Sequence, residues 1–133
     1  MKTLKGASTK FKAGLCSIIM FLLLTSCNKG YIELVRIFDV EIPERVNLGQ
    51  EIHFTMHCET PTPCYKYHHT EVSDSTSDIY VRVYAKRMRG GCIQVLDSFT
   101  TSEVFKPDSR GNYRFHFYQR YPSEYLIKVV AVQ

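Results

Sequence analysis

The sequence predicts an all-β sandwich of about seven strands. Three observations carry that prediction. Apolar and polar residues alternate with period two in segment after segment from Tyr31 onward. Turn-forming residues interrupt the alternation roughly every 8–14 residues. Beyond the first 27 residues no apolar stripe of helical period runs for a useful length. A small closed barrel is the alternative way for so many short strands to bury one face.

The first predicted strand runs from Tyr31 to Ile42. Ile32, Leu34, Phe38, Val40 and Ile42 share one parity, broken by Arg36, while Glu33, Asp39 and Glu41 take the other. Pro43 ends it, because proline has no amide hydrogen to give a ladder, and residues 43–50 (PERVNLGQ) read as a turn. The second strand, 51–58, places Ile52, Phe54, Met56 and Cys58 on one face and His53, Thr55 and His57 on the other. Pro61 and Pro63 interrupt the chain before a tyrosine-rich third strand, Cys64 to Val72, and SDSTSD (73–78) is a polar turn. The fourth strand has the clearest alternation. Ile79, Val81, Val83 and Ala85 are expected inside, and Tyr80, Arg82, Tyr84 and Lys86 outside. Arg89-Gly90-Gly91 reads as a hairpin bend into a fifth strand, Cys92 to Thr101. A loop with Pro107, Asp108 and Gly111 follows. The sixth strand spans Tyr113 to Gln119, with Tyr113, Phe115 and Phe117 on one face; Pro122-Ser123 turns the chain into the seventh, Tyr125 to Val132.

The first 27 residues are of another kind. Lys2, Lys5, Lys10 and Lys12 precede an apolar run from Leu15 to Leu24, and two small residues and Cys27 follow. A basic leader, a short apolar core and a small-residue zone make a secretory signal, expected to be helical and to be removed. The core of about ten residues is too short for a permanent span, which needs about 20. Leu24-Thr25-Ser26-Cys27 resembles the lipobox of bacterial lipoproteins. The resemblance implies cleavage before Cys27 and acyl chains on its sulfur and new amino terminus. Asn28 in place of aspartate implies an outer-membrane destination, facing the periplasm. The chain then divides into a signal peptide (1–26), a lipidated cysteine with its tether (27–30) and one domain (31–133).

Charge excludes one class of partner. The chain has 17 Lys and Arg against 13 Asp and Glu. Four of the lysines and none of the acids lie in the leader, so the mature chain carries 13 of each sign. The basic footprint of a nucleic-acid-binding protein is absent.

Three segments resemble immunoglobulin-like domains. VEIPERVNLGQEIHF is similar to their proline-kinked first strand and the glycine turn into the second. Gly111-Asn112-Tyr113-Arg114-Phe115 resembles the tyrosine corner, in which a tyrosine hydroxyl bonds back to nearby backbone. YRFHFYQ…YLIKVVAV is similar to the final hairpin. The chain has no Trp, and Phe115 stands where an inter-sheet cysteine would be, so the antibody type is excluded. The resemblance is to small immunoglobulin-like lipoproteins of bacteria, and PTPCY (61–65) and CIQVL (92–96) are similar to signatures of that group.

Cys58, Cys64 and Cys92 remain in the mature domain once Cys16 is discarded and Cys27 acylated. In an oxidising periplasm two of the three should pair. The predicted connectivity puts all three at one end of the sandwich. Cys64–Cys92 and Cys58–Cys92 are both favoured over Cys58–Cys64. The resemblance selects Cys64–Cys92, since both cysteines sit in the signature-like segments. No CxxC suggests a redox site.

Histidines offer a copper or zinc site only weakly. His53 and His57 share a face but stand about 13 Å apart along a strand. His68 and His69 adjoin and should point to opposite faces. A cross-strand partner would be needed, with His57 and His68 as the candidates. No GxSxG, HExxH or glycine-rich phosphate loop is present, so neither enzyme activity nor a cofactor is expected. Tyr65, Tyr67, Tyr80, Tyr84, Tyr118, Tyr121 and Tyr125 are many tyrosines for a small domain. Tyr80, Arg82, Tyr84 and Lys86 would share one outer face, and tyrosine with arginine is the composition of protein-binding surfaces. The expected function is a membrane-anchored, non-catalytic domain that binds or scaffolds an envelope partner.

Overall fold

The computed structural model describes residues 30–120 and 124–133. The signal helix, Cys27, most of the tether and Tyr121 lie outside the described residues. Within them every regular element is a strand: β1 (Ile32–Glu41), β2 (Arg45–Val46), β3 (Ile52–Thr60), β4 (Tyr65–Ser75), β5 (Asp78–Arg87), β6 (Asp97–Phe105), β7 (Gly111–Arg120) and β8 (Glu124–Val132). The fold is all-β. The eighth strand is the two-residue β2, which lies inside the predicted 43–50 turn and runs parallel to β8 at Ala131 and Val132. Gly49, at φ 91°, closes that turn in a conformation that costs other residues a steric penalty.

One continuous sheet curls into two facing layers, and β1 is the strand that belongs to both. Its first half, Ile32 to Val35, pairs antiparallel with β5. Its second half, from Arg36, pairs antiparallel with β3. β3 in turn pairs with β6 over nine consecutive positions, from Ile52–Phe105 to Thr60–Asp97. The other layer runs β4–β5–β7–β8–β2. β5 is parallel to β7 at Asp78 to Val81, because the chain between them crosses to β6 in the opposite layer and returns. The bend at Gly90 therefore directs a crossover and does not close a hairpin between β5 and β6.

Between the layers lies the core. The Phe54 ring of β3 meets the Phe115 and Phe117 rings of β7 at 5.6 Å each, edge to face. Phe105 of β6 adds a further edge contact to Phe115 at 5.7 Å. Edge-to-face pairs are a favoured arrangement for aromatic quadrupoles. Ile52, Met56, Cys58, Ile79, Val81, Val83, Ala85 and Val130 are fully buried around them. β3, β5 and β7 thus bury the faces that their alternation predicts. Tyr113 is buried as well, and its hydroxyl donates to the Ser109 carbonyl at 3.1 Å, four residues upstream.

Four expectations are corrected. In β1 the buried residues are Val35, Ile37 and Val40, so the predicted parity fails in the first half. A bulge between Ile37 and Asp39 shifts the register. It sends Ile37 and Val40 to the same side and leaves Phe38 exposed. The polar turn at 73–78 is shorter than expected: β4 and β5 pair as far as Ser75–Asp78, leaving Thr76 at φ 59° in a two-residue turn. The fifth predicted strand starts later, at Asp97, and Cys92 to Leu96 is an irregular loop. Finally, His68 and His69 do not point to opposite faces, because a second bulge between Tyr67 and His69 interrupts β4. Their Nδ1 atoms lie 2.6 Å apart.

The Cys64–Cys92 disulfide is present, with Cα atoms 6.0 Å apart and a sequence separation of 28. Cys58 remains a buried free thiol in β3. Burial pushes its pKa up to about 12, since the thiolate would sit in an apolar core. Because Phe54 fills the space between both layers, Phe54→Ala should cost about 3–5 kcal/mol in a urea titration. Replacing both bonded cysteines with serine should cost about 3–4 kcal/mol by the chain-entropy argument.

Candidate functional site

The outer face of β4, β5, β7 and β8 gathers polar aromatic side chains into one continuous surface. The β5 alternation that buries Ile79, Val81 and Val83 turns Tyr80, Arg82 and Tyr84 outward. Neighbouring strands bring partners of the same parity. β4 sets His69 opposite Tyr84 and Glu71 opposite Arg82. β7 sets His116 opposite Tyr80, and β8 sets Tyr125 opposite Tyr118.

The side chains on this face hold one another in place. The Tyr80 ring stacks on His116 at 4.6 Å, and its edge meets Tyr125 at 5.7 Å. Tyr118 meets Tyr125 at 6.2 Å. Arg82 Nη2 donates to the Tyr125 hydroxyl at 3.2 Å. That bond pushes the already high guanidinium pKa further up, so Arg82 is charged throughout the physiological range. The His69 ring lies parallel on Tyr84 at 4.6 Å. The Tyr84 hydroxyl donates to Glu71 Oε2 at 3.1 Å. Partial burial, then the Glu71 carboxylate, raises the Tyr84 pKa and keeps the hydroxyl protonated as a donor.

Asp78 closes the opposite end of the surface. Its Oδ1 lies 2.8 Å from His116 Nε2 and 2.9 Å from Arg114 Nε, and its Oδ2 accepts from Arg114 Nη2 at 3.0 Å. The His116 hydrogen bond, followed by those from Arg114, lowers the Asp78 pKa. This cluster orients the His116 ring beneath Tyr80.

Of the four residues expected to form an interface, Tyr80, Arg82 and Tyr84 share this network. Lys86 shares their face but lies toward the far end of β5, where it pairs with Ile32 of β1 and Lys66 of β4. His69, Glu71, Asp78 and His116 join the surface without having been assigned to it from the sequence. The outward parity of His116 in β7 was legible, but its placement on Tyr80 depends on the parallel β5–β7 register.

The metal-site candidates are not brought together. His57 lies on the β3 layer, where it contacts Glu41 Oε1 and Thr100 Oγ1 at 3.2 Å each. His68 sits in the β4 bulge of the other layer. Among the described residues no three His, Cys, Asp or Glu side chains converge at metal-holding distance. A shallow concavity between the end of β1 and β8, about 410 Å³ in volume, is lined by residues that include Ile42, Pro43, Arg45 and Ile127 and by no histidine, cysteine or serine. Among the described residues no helix is long and apolar enough to cross a membrane. No protein family, curated protein or solved structure matches the chain.

The lowered Asp78 pKa has a signed consequence. A carboxylate held below its ordinary value stabilises the fold fully above about pH 4 and loses that contribution as pH falls through the folded-state value. Asp78→Asn should therefore lower the urea midpoint at pH 7, and the gap from wild type should close as pH falls toward 2. A gap that stays constant with pH would mean that the Asp78 charge contributes nothing.

Proposed function

We propose that this chain is a lipid-anchored protein of the bacterial cell envelope. Its non-catalytic β domain binds an envelope protein partner through the outer face of β4, β5, β7 and β8. The anchor is supported by the basic leader, the short apolar run and the Leu24-Thr25-Ser26-Cys27 sequence. The protein partner is supported by one observation above the rest: the Tyr80, Arg82, Tyr84, His116 and Tyr125 side chains are already fixed by stacking and hydrogen bonds. Tyrosine and arginine held in place lose little rotamer entropy on binding. Their rings also supply apolar area beside a permanent charge, the combination found at binding hot spots.

A copper or zinc reading has one observation in its favour. The Nδ1 atoms of His68 and His69, 2.6 Å apart, are close enough to face one ion, about 0.7 Å nearer each other than two nitrogens around a tetrahedral zinc at ~2.0–2.1 Å. Calorimetric titration with either metal tests it. Heat lost in His68→Ala would support the reading, and no heat in the wild type would remove it.

Intact mass of the protein purified from membranes should equal residues 27–133 plus acyl chains. Alkylation should label no thiol in the native protein, because Cys58 is buried and Cys64 is bonded to Cys92. It should label one thiol after unfolding and three after reduction. For the partner, a photo-crosslinking residue at position 82 should give a discrete adduct in intact cells, absent when it stands at Thr55 on the opposite layer. Equal adducts from both positions would reject the face.

A further inference from the structure

The end of the domain from which the chain leads back to Cys27 carries a disulfide-closed loop with bulky apolar side chains in solvent. Between β5 and β6 residues 88–96 form no regular structure. Ile93 is 68% exposed, Val95 57% and Leu96 68%. Met88 is also exposed. Three large aliphatic side chains within four consecutive residues form a solvent-facing apolar knob, unlike a scatter of single exposed residues.

Several contacts fix this knob at the pole where the domain begins. Arg87 N donates to the Tyr31 carbonyl at 2.8 Å, and Ile32 pairs with Lys86. Met88 N donates to the Cys64 carbonyl at 2.7 Å, and Cys64 is bonded to Cys92. Leu96 borders a groove with Leu34 and Pro61. Tyr31, 69% exposed, lies at the same pole, with its carbonyl bonded to Arg87 N. Lys66, Lys86, Arg87 and Arg89 stand around it, with Lys66 paired to Lys86 and Tyr65 to Arg87 across β4 and β5. The acids of this end are partly engaged: Glu33 accepts from the Tyr65 hydroxyl at 2.8 Å, and Glu59 pairs with Arg36 at 3.5 Å. Asp97 opens β6 just beyond the knob.

From Cys27 to Gly30 the chain has three steps. However they lie, they reach at most about 11 Å. An acyl chain on Cys27 would therefore bring this pole to the lipid headgroups. An apolar knob with a basic collar is the chemistry that meets such a surface: aliphatic side chains enter the interface and cations face anionic headgroups.

We infer that the Ile93-Gln94-Val95-Leu96 loop is a second membrane contact, which inserts into the bilayer interface beside the lipid anchor. It would set the domain upright, with the Tyr80–Tyr125 face directed sideways along the membrane. The disulfide fits this role, since it ties the base of the loop to β4 and spares the ordering cost on insertion. The inference rests on the reading that Cys27 is acylated, and the test separates the two.

The chain contains no Trp, so a single introduced indole reports its own depth. Leu96→Trp would be made in the full chain, purified from membranes and reconstituted into anionic vesicles containing lipids brominated on their acyl chains. Leu48→Trp, beside Gln133 at the opposite pole, is the control. Loss of indole fluorescence at position 96 and none at position 48 is expected, with the loss reduced when Ile93→Ser is added. No loss at position 96, or equal loss at both, overturns the inference and leaves a protein partner for the knob. Intact mass of the same samples reads the anchor independently. If the mass shows no acyl chain, vesicles added to the soluble protein give the same readout. Quenching at position 96 would then support the loop's own membrane affinity, and its absence would overturn it.

Discussion

Everything in this fold depends on β1 serving two layers at once. Its first half hydrogen-bonds to β5 and its second half to β3. A strand that changes partners must bend, and the bulge between Ile37 and Asp39 supplies the bend while keeping both halves directed at the core. Val35, Ile37 and Val40 are buried as a result. With β1 as the hinge, Phe54 of β3 lies over Phe115 and Phe117 of β7. Without that closure each layer would be a half-sheet with a wet apolar face.

The same closure sorts chemistry by side of the sheet. Strict alternation in β5 leaves Ile79, Val81, Val83 and Ala85 fully buried while Tyr80, Arg82 and Tyr84 go outward. The outward residues tie β4, β5, β7 and β8 together by stacking and hydrogen bonds. Rigidity of this surface is therefore a by-product of the fold, and it is the property on which the proposed partner binding rests. The poles are different. One carries the tight Gly49 turn and the C-terminus, the other the Cys64–Cys92 loop and the start of the domain.

Much of the fold could be read directly from residue order. The all-β class followed from period-two alternation. The buried faces of β3, β5 and β7 followed from the same pattern, since the alternation runs unbroken through the buried positions of each, and the register shift in β7, between Tyr118 and Arg120, comes only after Phe117. The readings that failed did so for a shared reason. The parity of β1, the opposed orientation of His68 and His69, and a strand starting at Cys92 all assumed regular strands. Bulges at 37–39 and 67–69 and the irregular crossover at 88–96 break that assumption. A bulge leaves no signature in hydrophobic order when the residues around it are mixed, as Arg36 and Phe38 are.

By itself the sequence determined the class of the fold and its three most regular buried faces. Tertiary structure alone decided which outward residues meet. Tyr80 stacks on His116, 36 positions later in the chain, only because β5 and β7 run parallel at that register. Local alternation sets the side of the sheet for each residue. Pairing between distant strands sets its neighbours, and that pairing is chosen by closure of the whole core.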